Sequence, residues 1–148
     1  MAKWKGARVI AIASSSQETF VRGAGADEFI DYTKNAAEDV VKDVDLILDT
    51  LGGPTTGRFL STIKRGGGLF PTFPLGASGL ETAAALGIVV STTQVRSNGL
   101  QLVEIASLLD SGVVRVGVDS TFALADAAAA HQRASQGHTQ GKIVLTVS

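Results

Sequence analysis

The sequence contains no cysteine, and this absence excludes several kinds of chemistry. Without a thiol, the chain can form no disulfide, no thiolate metal site, no iron–sulfur cluster and no cysteine nucleophile. Long apolar runs are lacking as well, because the notable uncharged span, residues 82–95, is interrupted by threonines, Ser91 and Gln94. A membrane-spanning helix needs about 20 apolar residues, so the sequence predicts no membrane partner.

An excess of charge of one sign is also lacking. Lys and Arg number 13 against 14 for Asp and Glu, which gives a formal net charge of -1, and no stretch concentrates the basic residues. A protein needs clustered positive charge to bind along a phosphate backbone, so we expect no nucleic-acid partner. At the N-terminus Arg8 limits the apolar run to residues 9–13. An export signal needs roughly 7 to 15 apolar residues, and the sequence therefore predicts a cytoplasmic protein.

The composition that remains is typical of one globular domain. The 148 residues are 45% hydrophobic and 18% charged, which argues against disorder and predicts a packed core. Residues 9–13 are apolar at every position, as in a parallel strand that is covered on both faces. Ser15 and Glu18 then have the spacing of a capping box, which predicts a helix that ends near Gly23.

Further short apolar runs and amphipathic stretches alternate along the chain. Gly52, Gly53 and Pro54 predict the start of a helix over 54–64, because proline is favoured at the first helical position. The glycines at 66–68 would end this helix, and a strand at 69–73 is restricted by its prolines to an edge or an early end. The remaining predicted elements are strands at 29–30, 44–48, 88–90 and 143–147, and helices at 36–41, 102–109 and 124–134.

Repeated strand–helix alternation predicts a three-layer α/β fold with a parallel sheet and right-handed crossovers. Such sheets bind ligands beyond the carboxyl ends of their strands. Few residues at those positions are ionisable, which indicates a binding surface whose chemistry comes from a cofactor. The segment 76–79 resembles a nucleophile elbow, but Leu80 stands where that motif needs glycine, so we interpret it as a loop.

Two side-chain groups leave alternatives open. Ser14 and Ser15 follow the first predicted strand, where their hydroxyls could hold a 2′-phosphate or could simply cap the helix. His131 and His138 are seven residues apart with Gly137 between them, and no neighbouring carboxylate completes a ligand set. We therefore predict no metal site from these histidines.

Several segments, taken in order, resemble the medium-chain dehydrogenase/reductase superfamily, and most of all its quinone oxidoreductase-like branch, often labelled zinc-binding alcohol dehydrogenase. The segments are AKWKGARVI at 2–10, GADEFIDY at 25–32, DLILDTLGG at 45–53, FALADAA at 122–128 and GKIVL at 141–145. The resemblance runs almost from end to end. It implies a Rossmann-like parallel sheet that is truncated, with the first strand and its glycine-rich turn missing.

The resemblance also implies how the chain is divided. Residues 1–112 would form a partial dinucleotide-binding Rossmann domain, and residues 113–148 would pack on an absent substrate domain. The absent strand would lie in the middle of the sheet, beside residues 9–13. Unpaired strand edges need partners, so we expect the strand at 143–147 or a second copy of the chain to fill the gap, which predicts a homo-oligomer.

Site residues are implied by the resemblance position by position. It implies Ser14, Ser15 and Tyr32 near the adenosine phosphate and adenine. Thr50 and Leu51 would flank a ribose, Phe73 and Val95 would lie toward the nicotinamide, and Lys142 would lie near the cofactor end. Ser16 stands where relatives often have arginine, and Glu18 where they have a basic or neutral residue.

The function that the resemblance implies is hydride transfer between a nicotinamide and a carbonyl or quinone substrate. The expected cofactor is NADP, with NAD as the alternative, and no zinc site is expected in this chain. No residue here is expected to be catalytic, so the chain alone would be inactive. The alternative is a non-catalytic module, either a truncated nucleotide binder or an interaction domain, and dinucleotide titration discriminates between them.

Overall fold

The structure is a computed structural model that describes residues 1–91 and 96–147. Its strands are β1 (Ile10–Ala13), β2 (Glu28–Asp31), β3 (Val44–Asp49), β4 (Ile63–Pro71), β5 (Val89–Val90), β6 (Val118–Ala123) and β7 (Lys142–Thr146). Its α-helices are α1 (Glu18–Gly23), α2 (Ala37–Val40), α3 (Ala77–Leu86), α4 (Gly99–Asp110) and α5 (Ala127–Ser135). Short 3₁₀ helices cover Lys3–Lys5, Ser15–Gln17, Thr56–Thr62 and Leu124–Asp126. No helix among these described residues is both long and apolar enough to cross a membrane.

The chain divides into two compact units. The first unit comprises Met1–Phe29 and Asn98–Ser148, and the second comprises Ile30–Ser97. Strands β1 and β2 form a two-stranded sheet, and the boundary between the units falls within β2.

The second unit is built on a three-stranded parallel sheet of order β3-β4-β5. Its register places Ile47 opposite Leu69 and Asp49 opposite Pro71. The core of this unit is a cluster of buried apolar side chains, two of them from β4 itself: Leu60, Ile63, Leu69, Leu75, Ala83 and Ile88. The predicted α/β chain with parallel strands is confirmed, and this sheet brings the ends of β3 and β4 to one edge.

Strand β4 differs from its prediction in both length and position. It begins at Ile63 and runs through the three glycines that were expected to end a helix, and it lies in the middle of the sheet instead of at an edge. A Cβ on Gly67 would lie 2.7 Å from the carbonyl oxygen of Asp45. Glycine here therefore permits close approach of two strands. Pro71 is tolerated because it is the last residue of β4.

The helix predicted over 54–64 is only the 3₁₀ helix Thr56–Thr62. Hydroxyl groups in this segment bond to nearby carbonyl oxygens, with Thr62 Oγ1 donating to Phe59 O at 2.8 Å. Such local bonds compete with a regular α-helical pattern.

Two elements were missed in the sequence. Residues 77–86 form α3, not a loop, and this helix ends at Gly87, which has φ +69°. Its Ala83 is 1% exposed and belongs to the core. Strand β6 was also missed, because its residues Asp119, Ser120 and Thr121 interrupt the apolar pattern.

The first unit contains β6 and β7, which pair in parallel with Phe122 opposite Leu145. The closing strand pairs with β6 and not with β1, so the expectation that this strand fills the gap beside β1 is wrong, and the alternative, a second copy of the chain, stays a prediction. The predicted capping box is also wrong. Glu18 accepts a hydrogen bond of 2.8 Å from Arg22 Nε, one turn along α1, and the residue before α1 makes no side-chain cap.

Candidate functional site

The carboxyl end of β3 is shaped by the carboxylate of Asp49. Its Oδ1 accepts hydrogen bonds from the backbone N–H groups of Leu51 at 3.0 Å and Gly52 at 2.9 Å. Its Oδ2 accepts a bond of 2.6 Å from Thr56 Oγ1, whose residue is buried. One carboxylate therefore fixes the turn that carries Thr50 and Leu51.

The charge on Asp49 is stabilised in this position. Burial raises the pKa of its carboxyl, but the hydrogen bonds from Thr56, Gly52 and Leu51 lower it more, so the pKa lies below its usual value. Asp49 is consequently ionised at neutral pH and acts as an acceptor only. Its role in this edge of the sheet is to hold a backbone turn.

The turn after β3 lies directly against the end of β4. A Cβ on Gly52 would lie 2.7 Å from the backbone nitrogen of Phe73, and Thr72 N donates to Asp49 O at 2.9 Å. Leu51 and Phe73 remain 84% and 64% exposed. The structure thus brings these two sequence-predicted residues to the same edge, with apolar surface open to a ligand.

Tyr32 follows β2 in the same unit and is half exposed. The preceding residue, Asp31, is buried and accepts hydrogen bonds from both Thr33 Oγ1 at 2.6 Å and Thr33 N at 2.9 Å. The Thr33 hydroxyl is the main cause that lowers the pKa of Asp31 to about 2, and Lys34 contributes further. Asp31 therefore holds the short backbone segment that carries Tyr32.

In the first unit, Ser14 and Ser15 follow β1. Ser14 Oγ and Ser16 Oγ share a hydrogen bond of 3.0 Å. Ser14 precedes the 3₁₀ helix Ser15–Gln17, and Gln17 precedes α1. Neither side chain forms a hydrogen bond that caps its helix. The serine hydroxyls therefore do not serve the capping role that was one of their two interpretations.

A cleft of about 450 Å³ lies in the first unit and was not predicted. Its lining residues come from both sequence segments of this unit: Ser16, Gln17, Phe20, Gly117, Val118, Asp119, Arg133, His138 and Gln140. Lys142 is not among them, although its backbone N–H donates to Gly117 O at 2.8 Å beside the cleft. Of the predicted site residues, none lines this cleft, and Ser15 is only the neighbour of one that does.

Asp119 organises one wall of the cleft. It accepts hydrogen bonds from Gln140 N at 2.9 Å, Ser120 Oγ at 3.0 Å and Arg133 Nη2 at 2.7 Å. The backbone bond from Gln140 is the largest cause that holds the pKa of Asp119 below its usual value, and Arg133 also lowers it. Arg133 Nη1 donates to Gly137 O at 2.9 Å, so the same two side chains fix the turn that carries His138.

The signal for this turn is present in the sequence but is weak. Gly137, His138 and Gly141 all have positive φ, at +67°, +53° and +112°. Two glycines four residues apart before a strand indicate a tight turn, but they do not indicate which surface it faces. Val95, predicted near the nicotinamide, lies outside the described residues. Within residues 1–91 and 96–147 no group of three or more His, Asp or Glu side chains could hold a metal ion.

Comparisons with known proteins agree with this architecture. The mouse (Mus musculus) protein described as "NAD(P)H oxidoreductase RTN4IP1, mitochondrial" is 32% identical over 172 residues, covering 99% of this chain and 43% of the relative. The Arabidopsis thaliana "NADPH-dependent alkenal/one oxidoreductase, chloroplastic" is 31% identical over 140 residues, covering 93% of this chain and 33% of the relative. The chain thus spans less than half the length of these relatives.

Among solved structures, the quinone oxidoreductase from Coxiella burnetii superposes with a TM-score of 0.88 at 26% sequence identity, covering 99% of this chain and 47% of the other. This likeness confirms the predicted Rossmann-like α/β fold. A family model described as "Zinc-binding dehydrogenase" matches residues 24–145. The chain, with its parallel strands and its edge fixed by Asp49, belongs to the zinc-binding dehydrogenase family.

Proposed function

We propose that this chain is the cofactor-binding part of an NADP-dependent oxidoreductase of the quinone reductase type. The complete activity is hydride transfer between the nicotinamide and a carbonyl or quinone substrate. Family membership supports this proposal, as do the names of the mouse and Arabidopsis relatives, which specify NAD(P)H or NADPH. The bound nicotinamide would supply the hydride chemistry itself.

The observation that carries the proposal is the edge formed by Asp49, Leu51, Gly52 and Phe73. Asp49 holds the turn, and the Gly52 backbone contacts Phe73 so closely that no side chain fits between them. The exposed Leu51 and Phe73 side chains then offer apolar surface to the ribose and nicotinamide. These residues position a cofactor and exclude water beside it, and they transfer no proton.

The choice of NADP over NAD is supported by the serines after β1. Their hydroxyls make no side-chain cap. Ser14 and Ser16 share one hydrogen bond of 3.0 Å, which uses the donor of one of these two hydroxyls and leaves the other to donate to a 2′-phosphate. Glu18, which would oppose an anion here, is paired with Arg22 at 2.8 Å. Pairing lowers the repulsion that an isolated carboxylate would exert.

Zinc is implied by the family description, but the described residues do not fit it. The chain has no cysteine, and its described acidic and histidine side chains form no group of three or more. No step of the reaction is therefore assigned to a metal held by this chain.

The proposal is tested by titrating the chain with NADPH and following the quenching or enhancement of nicotinamide fluorescence. We expect saturable binding at micromolar concentrations, and no turnover of a quinone such as 9,10-phenanthrenequinone by the chain alone. Phe73→Ala should weaken binding, whereas Phe59→Ala, a matched aromatic change in the 3₁₀ helix, controls for general loss of packing. Absence of saturable binding to either dinucleotide contradicts the proposal.

The second candidate is a non-catalytic nucleotide-binding or interaction module. This candidate is favoured because the edge offers no ionisable side chain that is free to transfer a proton. Asp49 is the one ionisable side chain among residues 49–53 and 72–75, and it accepts three hydrogen bonds. Dinucleotide titration separates the first candidate from an interaction domain, which should show no saturable binding. A truncated nucleotide binder would also bind the dinucleotide, so a further test is needed to tell it from the first candidate. They differ in whether a polypeptide that supplies the remaining half of the relatives' length restores quinone-dependent oxidation of NADPH.

Domain division, self-association and location remain proposals. The predicted boundary at residue 112 is tested by limited proteolysis, and a homo-oligomer by sedimentation velocity. A cytoplasmic location is proposed from the sequence alone, while the mouse relative is described as mitochondrial. Cell fractionation with an antibody to this chain separates the two locations.

A further inference from the structure

Helix α4 begins at a dipeptide that is prone to chemical change. Its first residue, Gly99, follows Asn98, which gives the chain an Asn–Gly bond at the start of this helix. The side-chain amide carbon of an asparagine lies near the backbone nitrogen of the next residue, and glycine leaves that nitrogen unhindered. The other asparagine of the chain, Asn35, is followed by Ala36, whose Cβ hinders the same approach. Asn98 is therefore the asparagine where attack by the backbone is less hindered.

Two hydrogen bonds restrict Asn98 in the closed helix. Its Oδ1 accepts a bond of 3.1 Å from Gln101 N, and its carbonyl oxygen accepts one of 3.1 Å from Leu102 N. The first bond fixes the orientation of the side-chain amide, as is typical of a helix N-cap. The amide carbon is free to rotate onto the Gly99 nitrogen only when this first turn opens.

The first turn of α4 has little packing to keep it closed. None of the 12 residues of α4 is buried, and Leu100 and Leu102 are 85% and 67% exposed. Helices of about 12 residues are marginal in water when no apolar face is packed. Asn98 is exposed as well, so water reaches its amide. Opening of α4 therefore costs less free energy than unfolding of the whole chain.

We propose that Asn98 is a site of spontaneous deamidation and that this modification changes α4. In the opened turn the Gly99 nitrogen loses its proton to water and forms a bond to Cγ of Asn98. The bond from Cγ to Nδ2 breaks, and Nδ2 takes one proton from water and leaves as ammonia. Water then adds to one of the two carbonyl carbons of the resulting succinimide and opens the ring. The products are aspartate and isoaspartate, and nothing is oxidised or reduced.

The two products have opposite effects on the helix. Aspartate keeps an oxygen that accepts from Gln101 N, and its negative charge is favourable at a helix N-terminus. Isoaspartate continues the main chain through Cγ, which lengthens the backbone before Gly99 and removes the capping side chain. The aspartate form keeps α4 closed, whereas the isoaspartate form opens its first turn. The modification does not depend on dinucleotide binding.

The first test is peptide mass spectrometry of the full chain after incubation in warm, mildly alkaline buffer. Trypsin cleaves after lysine and arginine, so Asn98 falls in the peptide 97–115 and Asn35 in the peptide 35–42. We expect the first peptide to convert into aspartate and isoaspartate forms, which chromatography separates, while the second stays unmodified. Equal conversion of the two peptides, or none in 97–115, overturns the proposal.

Two variants separate the chemistry from the opening of the helix. A Cβ on Gly99 would meet nothing within 4 Å, so Gly99→Ala keeps the fold and should slow conversion even in guanidinium chloride. Ala106→Gly, at an exposed position of α4, should speed conversion in the folded chain about fivefold through the weaker helix. Ala84→Gly makes the same change at an exposed position of α3 and should leave the rate unaltered.

The outcomes with these variants are decisive for separate parts of the proposal. Equal rates for Gly99→Ala and the unaltered chain in guanidinium chloride would overturn the assignment to the bond between Asn98 and Gly99. Equal rates for Ala106→Gly and Ala84→Gly in the folded chain would overturn the role of helix opening.

Amide hydrogen exchange, followed by NMR, tests the effect on α4. The isoaspartate form of the aged chain should exchange its α4 amides faster than the fresh chain. Asn98→Asp, which stands for the other product, should exchange no faster than the fresh chain. Equal exchange in all three would show that the modification leaves the helix unchanged, which contradicts the proposal.

Discussion

Gly52 and Phe73 approach each other so closely that a Cβ on Gly52 would lie 2.7 Å from the Phe73 nitrogen and 2.8 Å from its Cβ. Gly52 also has φ +66°. Contact and conformation therefore both require glycine at this position, which joins the turn after β3 to the end of β4.

The neighbouring glycine allows these two requirements to be separated. Gly53 has φ +98°, but a Cβ there would meet nothing within 4 Å. We expect Gly53→Ala to cost about 1 kcal/mol of unfolding free energy, from the backbone conformation alone. Gly52→Ala should cost about 2–4 kcal/mol, because overpacking is added, and should also weaken dinucleotide binding. Urea denaturation measures both changes, and equal losses would show that the Phe73 contact is unimportant.

The hydroxyl of Thr56 should contribute to stability through Asp49. Thr56→Val keeps the shape of a buried side chain and removes the bond of 2.6 Å to the carboxylate. We expect a loss of about 2 kcal/mol, the size typical of a hydrogen bond to a charged group. Thr55→Val, at an exposed neighbouring position, should change stability by less than about 0.5 kcal/mol. Similar values for the two variants would contradict a special role for Asp49.

The carboxyl group of Asp31 should make the thermal stability of the chain depend on pH under acidic conditions. Its folded pKa of about 2 is below the usual 3.8, so its contribution is fully present above pH 3.8 and is lost as the pH falls through 2. We expect Asp31→Asn to lower the Tm by about 3 °C at pH 6, and the difference from the unaltered chain to shrink toward pH 2. Asp27, Asp49 and Asp119 also have lowered pKa values, so both proteins lose stability in acid. A constant Tm difference between pH 6 and pH 2 would refute the assignment.

The turn before β7 should loosen when Arg133 is removed. Arg133→Met deletes the bonds to Asp119 and to Gly137 O, so the Gln140 amide, which donates to Asp119, should exchange with deuterium about tenfold faster. Arg115→Met, which lies outside this network, is the control. An unchanged exchange rate at Gln140 would show that Asp119 alone holds the turn.

The sequence predicted the elements whose patterns are local. Strand β1 is a continuous apolar run, β3 is rich in branched apolar residues, and α4 has one apolar face that ends near Gly112. Prediction from the sequence failed where contacts between residues distant in sequence decide which element forms. The glycines of β4 indicate a helix end when considered alone, but in the fold they allow Gly67 to approach the Asp45 carbonyl.

The candidate site was predictable to a similar extent. Leu51 and Phe73 were expected from a resemblance, and the parallel sheet brings them together because strands of one direction end at one edge. The cleft was not predictable, because Ser16 and Gln140 are 124 residues apart and nothing local to either indicates the other. Asp119 was missed for the same reason, since its three donors include two from other segments.

Gly141 and Gly117 touch backbone to backbone, with no space for a side chain on Gly141. Engineers who recombine this chain with a homologue should therefore exchange the segments around both glycines as one cassette. A crossover between them that brings in a residue with a Cβ at position 141 would place that atom at a contact that accommodates hydrogen alone, and such chimaeras should be depleted from a shuffled library.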